Sequence, residues 1–286
     1  MLEYIDKSRV HCNKSLVNLN SYRLGGSARY VLYLHNHEVK RVVEDIKDIM
    51  PYVVLGLGCN VLVSDSGYEG AVIRLVDDNI HRHEDGLIVD AGANLAVVLQ
   101  YACQCGLSGL EWATGLPSTV GGAIFGNAGA RGKCIADSLM SCQILHKSGI
   151  IQLTHRQCNF AYRYSVLQDM DAIVLQASFG LTQSTVDIVR SNMNVIRQLR
   201  NNIRGLCAGS VFKNSTQQAG KLIDDCGLKG TKIGGAMVSQ LHANWIINDG
   251  TATATDVYNL IQLVQSRVLD IHGIQLQLEL RLIGEF

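Results

Sequence analysis

The chain has 286 residues, 47% hydrophobic and 17% charged, which supplies two or three apolar cores and excludes a disordered chain. Its 25 Lys and Arg balance 25 Asp and Glu, so the basic excess of a non-specific nucleic-acid binder or a polybasic membrane anchor is missing. Nine cysteines, odd in number, without a Cys-x-x-Cys pair and mostly in apolar company, read as unbridged thiols in a reducing compartment. Glu3 and Asp6 interrupt any signal-peptide core, and no apolar run approaches the ~20 residues of a membrane span. The expectation is a cytoplasmic protein.

In chain order, Glu38 to Met50 places Val39, Val42, Val43, Ile46, Ile49 and Met50 on one helical face. Pro51 to Leu55 then reads as a buried strand ending at Gly56, with further short strands at Val61–Val63 and Ala71–Leu75. Asp85-Gly86 predicts a hairpin between His81–His83 and Leu87–Val89. Leu95, Val98, Leu99 and Ala102 make a helix face stopped by Gly106. A second hairpin is predicted over Ile144–Thr154 around Ser148-Gly149, then a strand over Ala172–Phe179. A helix starts near the caps Ser184 and Thr185, and its start is the best candidate for a domain boundary. The last helix runs from about Thr255 to Gly273, and Leu276, Leu278, Leu280 and Leu282 alternate as a closing strand. Strands and helices mix irregularly, so the predicted class is α+β.

Several segments carry candidate chemistry. Gly56-Leu-Gly58-Cys59-Asn60 follows a strand, but Val61 stands where a dinucleotide fingerprint needs its third glycine, and a strand follows instead of a helix. The turn is either a nest of backbone amides for a diphosphate or, taken alone and more simply, an ordinary tight turn. From Glu111 to Gly129 small residues crowd together: Gly115, Ser118, Thr119, Gly121, Gly122, Asn127 and Gly129. Pro117-Ser118-Thr119 can open a short helix whose first amides favour an anion. A tight helix crossing is the alternative, and the length of the run favours a ligand. Tyr162-Arg163-Tyr164 is a site or a surface cation–π stack. Gly209-Ser210 with Lys213 and Asn214 is a weak signal by itself, as is Glu279, which the closing strand turns away from its leucine row. His81, His83, Glu84 and Asp85 sit together with no distant partner, so no metal site is expected.

Together these pieces resemble the UDP-N-acetylenolpyruvoylglucosamine reductase family from about Asn20 to the C-terminus. They are Tyr22–Ala28, Gly56–Asp65, Gly115–Ala123 with Asn127–Gly129, Tyr162–Ser165, Gly209–Asn214, Ala219–Asp224 and His242–Asn248, in the family's order. The compact stretch between Arg163 and Ser210 resembles the shorter of its two architectures. The resemblance implies an FAD-binding region of the vanillyl-alcohol-oxidase type over 17–183, in subdomains of about 17–77 and 78–183, and an α+β substrate-binding domain over 184–286. It implies non-covalent FAD held by Gly56, Gly58, Cys59, Asn60, Gly115, Ser118, Thr119, Gly121, Gly122, Asn127 and Gly129.

It further implies that NADPH gives hydride to FAD, that flavin N5 passes it to C3 of the enolpyruvyl substrate, and that the enolate is protonated at C2. Ser210 occupies the proton-donor position, while Arg163 and Glu279 occupy the positions that stabilise the anion. Tyr162, Lys213 and Asn214 are expected at the substrate. Cys59 stands where serine is usual, Ser215 replaces a proline, and Gln277 replaces the first carboxylate of a Glu-x-Glu pattern. The expected partners are small molecules, without nucleic acid or membrane, and a monomer is favoured. The rival readings are another FAD oxidoreductase or oxidase on the same scaffold and a non-catalytic nucleotide-sugar binding protein.

Overall fold

The computed structural model describes residues 4–84, 86–199 and 205–286. The chain divides into one unit of Met1–Val10, Leu32–Gly56 and Val72–Asn201, and another of His11–Val31, Leu57–Ala71 and Asn202–Phe286. A four-stranded sheet runs in the order Val10–Ser15, Ser27–Leu34, Tyr68–Leu75, Tyr52–Val54.

In the first unit, helix α1 spans Asn36–Ile46. It starts before the expected Glu38 because Glu38 accepts a hydrogen bond from His35 N at 2.8 Å, which makes Glu38 a first-turn cap. It ends before Met50, so Ile49, expected on the buried face, is 55% exposed. The largest sheet is antiparallel, in the order Gly149–Thr154, Leu139–His146, Ile173–Gly180, Gly86–Asp90, Ile80–His83. Both predicted hairpins lie in it, although Asp85 itself lies outside the described residues. Helix α2 (Leu95–Gln104) is capped by Asn94 Oδ1, which accepts from Ala96 N at 2.9 Å. Helix α3 spans Val120–Phe125. Leu87, Val89, Val98, Leu99, Val120, Ile124, Ile144 and Phe179 share one core; burying each such side chain stabilises by roughly 1.5–3 kcal/mol. Helix α4 (Val186–Gln198) begins at the predicted cap, with Thr185 Oγ1 accepting from Ile188 N.

In the second unit, helices α5 (Ala219–Asp225) and α6 (Ala254–His272) pack around Tyr22, Leu62, Phe212, Leu222, Ile223, Leu260, Ile261 and Val264. The cap of α6 is Thr253, not the expected Thr255, and Asp256 closes a capping box with it. Asp65 adds a second anchor, accepting from Ala254 N, Thr255 N and Thr255 Oγ1 at 2.9, 2.8 and 2.7 Å. Lys232–Ile233, Ala236–Val238 and Ile246–Asn248 form a three-stranded antiparallel sheet.

The closing strand is shorter than its alternation predicts. Only Arg281–Ile283 is in a ladder, parallel to Val61–Val63. Leu276 to Leu280 instead run past the segment that follows Ser210, with Leu278 in an isolated bridge to Phe212.

Candidate active site

In the second unit, Gly209 adopts φ +79°, a left-handed turn with open space around it, and delivers Ser210 at the head of the segment Val211-Phe212-Lys213. This segment is held from two sides. On one side Glu279 N donates to Val211 O at 2.9 Å, and Lys213 N donates to Gln277 O at 2.8 Å. On the other, Asn244 brackets Phe212: its Nδ2 donates to Phe212 O at 2.8 Å, and its Oδ1 accepts from Phe212 N at 2.9 Å. Ser210 is half-buried and Glu279 partly exposed, and each adjoins one peptide group of Val211. Asn214 Oδ1 accepts from Ala219 N at 3.0 Å at the start of α5.

The turn Gly58-Cys59-Asn60 belongs to the same unit. Gly58 has φ +66°, and a Cβ there would lie 2.2 Å from Leu19 O, so only glycine fits. Cys59 Sγ faces Leu57 O at 3.5 Å. Asn60 Nδ2 donates to Glu279 O at 2.9 Å.

In the first unit, Gly56 lies against Thr119, with an added Cβ falling 2.4 Å from Thr119 Oγ1. Gly115 has φ +75°. Thr119 caps α3 by accepting from Gly122 N at 3.2 Å, and Ser118 Oγ donates to Thr119 O at 2.8 Å. The expected anion site at the start of this helix is not formed. Val120 N and Gly121 N donate to Ala93 O and Ala91 O, each at 2.9 Å, so the first helical amides are already used by the protein. Gly121 and Gly129 also answer to close approach of the chain, their Cβ positions lying 3.1 Å from Ala91 Cβ and 2.6 Å from Lys133 O.

Tyr162 and Arg163 form the tip of a tight turn closed by reciprocal Ala161–Tyr164 backbone bonds of 3.1 Å. Arg163 takes φ +54°, a conformation costing about 1–3 kcal/mol in a non-glycine residue. Its guanidinium carbon lies 5.4 Å from the Tyr162 ring centre, so the cation–π stack is present within the turn. The turn is tied down from below: Asn127 Nδ2 donates to Ala161 O at 2.7 Å, and Gln168 Nε2 donates to Arg163 O at 3.1 Å. Asn127 is buried, so its amide serves this turn. The Asn127–Ala161 and Asn244–Phe212 bonds each span more than thirty residues, so the only local signal of them is that both asparagines fall in the Asn127–Gly129 and His242–Asn248 pieces.

Among the described residues, no group of three or more His, Cys, Asp or Glu is placed to hold a metal. No helix among them is long and apolar enough to cross a membrane. A flavin diphosphate fits what is present. In the first unit, where Gly56 lies against Thr119, the amides of Gly56, Ser118 and Thr119 donate to no protein acceptor among the described residues. Such unpaired donors on glycine turns suit an anion.

The FAD binding domain family matches residues 28–154. The match and the turns define an α+β FAD-binding protein. The C-terminal domain of UDP-N-acetylenolpyruvoylglucosamine reductase matches residues 201–283. A UDP-N-acetylenolpyruvoylglucosamine reductase of Streptococcus pneumoniae (strain Hungary19A-6) is 38% identical over 294 aligned residues, covering 100% of this chain and 97% of the relative. One from Lactiplantibacillus plantarum is 38% identical, covering 96% and 93%. The crystal structure of the Thermus caldophilus enzyme superposes with a TM-score of 0.83 at 34% identity, covering 95% of this chain and 98% of that one. The chain belongs to the UDP-N-acetylenolpyruvoylglucosamine reductase family.

Proposed function

We propose that this chain reduces UDP-N-acetylenolpyruvoylglucosamine to UDP-N-acetylmuramate with NADPH, through bound FAD, in peptidoglycan precursor synthesis. Family membership along the whole chain supports the reaction. The observation that carries the site is the single Val211 segment, which bears Ser210 at one end and binds Glu279 through its carbonyl.

Bound FAD supplies the two-electron carrier between NADPH and the substrate. The protein's task is then to hold the substrate and manage the anion that forms at its enolpyruvyl group. Ser210 Oγ gives its proton to C2. Stabilisation of the enolate is assigned to the Arg163 guanidinium, by its charge, and to the Glu279 carboxyl in its protonated form, by donating a hydrogen bond. A serine hydroxyl is a poor acid unless held by its surroundings, and the bonds on either side of Val211 and Phe212 supply that rigidity. Tyr162, Lys213 and Asn214 are assigned to the substrate. For FAD, the amides of Gly56, Ser118 and Thr119 take the diphosphate, with Gly115 and Gly122 shaping its bed, and the Leu57–Gly58 turn is assigned to the flavin as well. Of the other residues expected at the flavin, Gly121 and Gly129 answer to close approach of the chain itself, Asn127 holds the Tyr162–Arg163 turn, Cys59 stays within its own turn and Asn60 braces the Glu279 segment.

The division of labour is flavin binding by 17–183, in parts of about 17–77 and 78–183, and substrate binding by 184–286. The family matches at 28–154 and 201–283 support it. The enzyme works as a cytoplasmic monomer on small molecules and not on nucleic acid, a reading supported by the zero net charge and by nine cysteines outside any disulfide.

Absorbance at the NADPH band tests the reaction. NADPH should be consumed rapidly only when the enolpyruvyl substrate is added. Rapid consumption with oxygen alone would favour an oxidase, and none under either condition would favour a binding protein.

A further inference from the structure

We propose that Asn244 is the positioning residue for Ser210: it clamps Val211 and Phe212 so that the serine hydroxyl stays in register with Glu279. This rests on the acid role assigned to Ser210 above. Asn244 is 4% exposed and Phe212 1% exposed, so the peptide groups of Phe212 have no water to bond and need protein partners. Asn244 meets both needs with one planar side chain, donating through Nδ2 and accepting through Oδ1. Its backbone carbonyl accepts from Val211 N at 2.9 Å, a third bond to the same two residues. The side-chain amide thus acts as a short piece of neighbouring strand, on the side of the segment opposite Gln277–Leu280.

Asparagine is the side chain suited to this place. Aspartate keeps the acceptor but turns a carboxylate oxygen onto Phe212 O; alanine leaves both groups of Phe212 unpaired. Asn244 is itself fixed, since its N donates to His242 Nδ1 at 3.3 Å. Burial lowers the His242 pKa and favours the neutral ring, whose Nδ1 is free to accept this bond. His242 N and Leu241 N in turn donate to Ser239 Oγ. The His-Ala-Asn-Trp piece is therefore a brace built behind Ser210.

A double-mutant cycle on the holoenzyme tests this. Asn244→Ala and Asn244→Asp are prepared with and without Ser210→Ala, and stopped-flow absorbance follows each half-reaction, with flavin content and thermal midpoint as controls. Alone, the Asn244 variants should hold FAD, be reduced by NADPH at near wild-type rates, and slow reoxidation by the enolpyruvyl substrate by about 10–10²-fold, the scale of a misplaced reacting group. In the Ser210→Ala background the same changes should add almost nothing, because they act through a hydroxyl already gone. The proposal is overturned if the two effects multiply, if both half-reactions slow equally, or if neither variant yields folded holoenzyme, which would make Asn244 a folding residue. If Ser210→Ala leaves reoxidation unchanged, the acid assignment falls first and this proposal falls with it. If Ser210→Ala is slow and Asn244→Ala is not, only the positioning role fails.

Discussion

Asn60 Nδ2 donates to the Glu279 carbonyl at 2.9 Å, and the Asn60 carbonyl accepts from Arg281 N at 3.1 Å. A residue expected from its glycine turn to touch flavin is thus a brace for the segment that carries the proposed carboxyl. Asn60→Ala should cost about 0.5–1.5 kcal/mol in stability, the net worth of one hydrogen bond. It should slow reoxidation by substrate more than it weakens FAD binding. Flavin titration beside stopped-flow reoxidation separates the two, and loss of FAD affinity with normal reoxidation would return Asn60 to the flavin.

The sequence made the long elements readable. The apolar face of α2, the cap Thr185 of α4 and the Gly273 stop of α6 lie in local periodicity and cap chemistry, which survive packing. The closing strand is shorter than its alternation because alternation cannot say whether a ladder partner exists: Leu276–Leu280 meet the short segment after Ser210 and the side chains of Asn60 and Gln265, not a strand. The length of the Glu111–Gly129 run favours a ligand, while the Gly56–Gly58 turn alone reads more simply as a tight turn. Gly121 and Gly129 in that run meet the chain's own atoms at Ala91 and Lys133, and Gly58 meets Leu19 as a tight turn does. The asparagine bonds of Asn60, Asn127 and Asn244 join distant segments, so no window of the sequence contained both ends.

The contact of Gly56 with Thr119 predicts that the first turn tolerates no side chain. Gly56→Ala places Cβ 2.4 Å from Thr119 Oγ1, and overpacking of this kind costs about 1–3 kcal/mol. The variant should lose FAD more readily on dilution. Adding Thr119→Ala removes the clashing atom and should recover part of the loss. An unchanged flavin dissociation constant in Gly56→Ala would show that the turn has slack.

Asp65 gives a pH dependence with a definite sign. Burial pushes its pKa up, but the bonds from Ala254 N, Thr255 N and Thr255 Oγ1 outweigh burial and hold the carboxyl below its ordinary value. A carboxyl lowered by folding contributes fully above its unfolded value of ~3.9 and is lost as pH falls through the folded one. Asp65→Ala should therefore cost about 1–2 kcal/mol at neutral pH, the scale of a lost helix cap. The gap from wild type should narrow only in acid below pH ~4. Denaturant melts at several pH values would measure it, and a constant gap down to the acid limit would remove the carboxylate from the account.

The cysteines should play no part in catalysis. Cys142 and Cys158 are the closest pair by hydrogen bonding, at 3.7 Å between sulfurs, and both are buried, away from oxidants. Thiol titration of the denatured, unreduced chain should find nine thiols, the number in the sequence. Cys59→Ser should keep both flavin and activity, since a hydroxyl can replace the Sγ–Leu57 O contact. Full flavin content with lost turnover would contradict this.

The central claim is that Ser210 supplies a proton only after hydride has reached the substrate, and stopped-flow absorbance of Ser210→Ala measures it directly. The variant should bind FAD and be reduced by NADPH at close to the wild-type rate. Reoxidation by the enolpyruvyl substrate should slow by about 10²–10⁴-fold, the usual worth of a positioned acid, and Ser210→Cys should be less impaired. Equal slowing of both half-reactions, or of neither, would contradict the account.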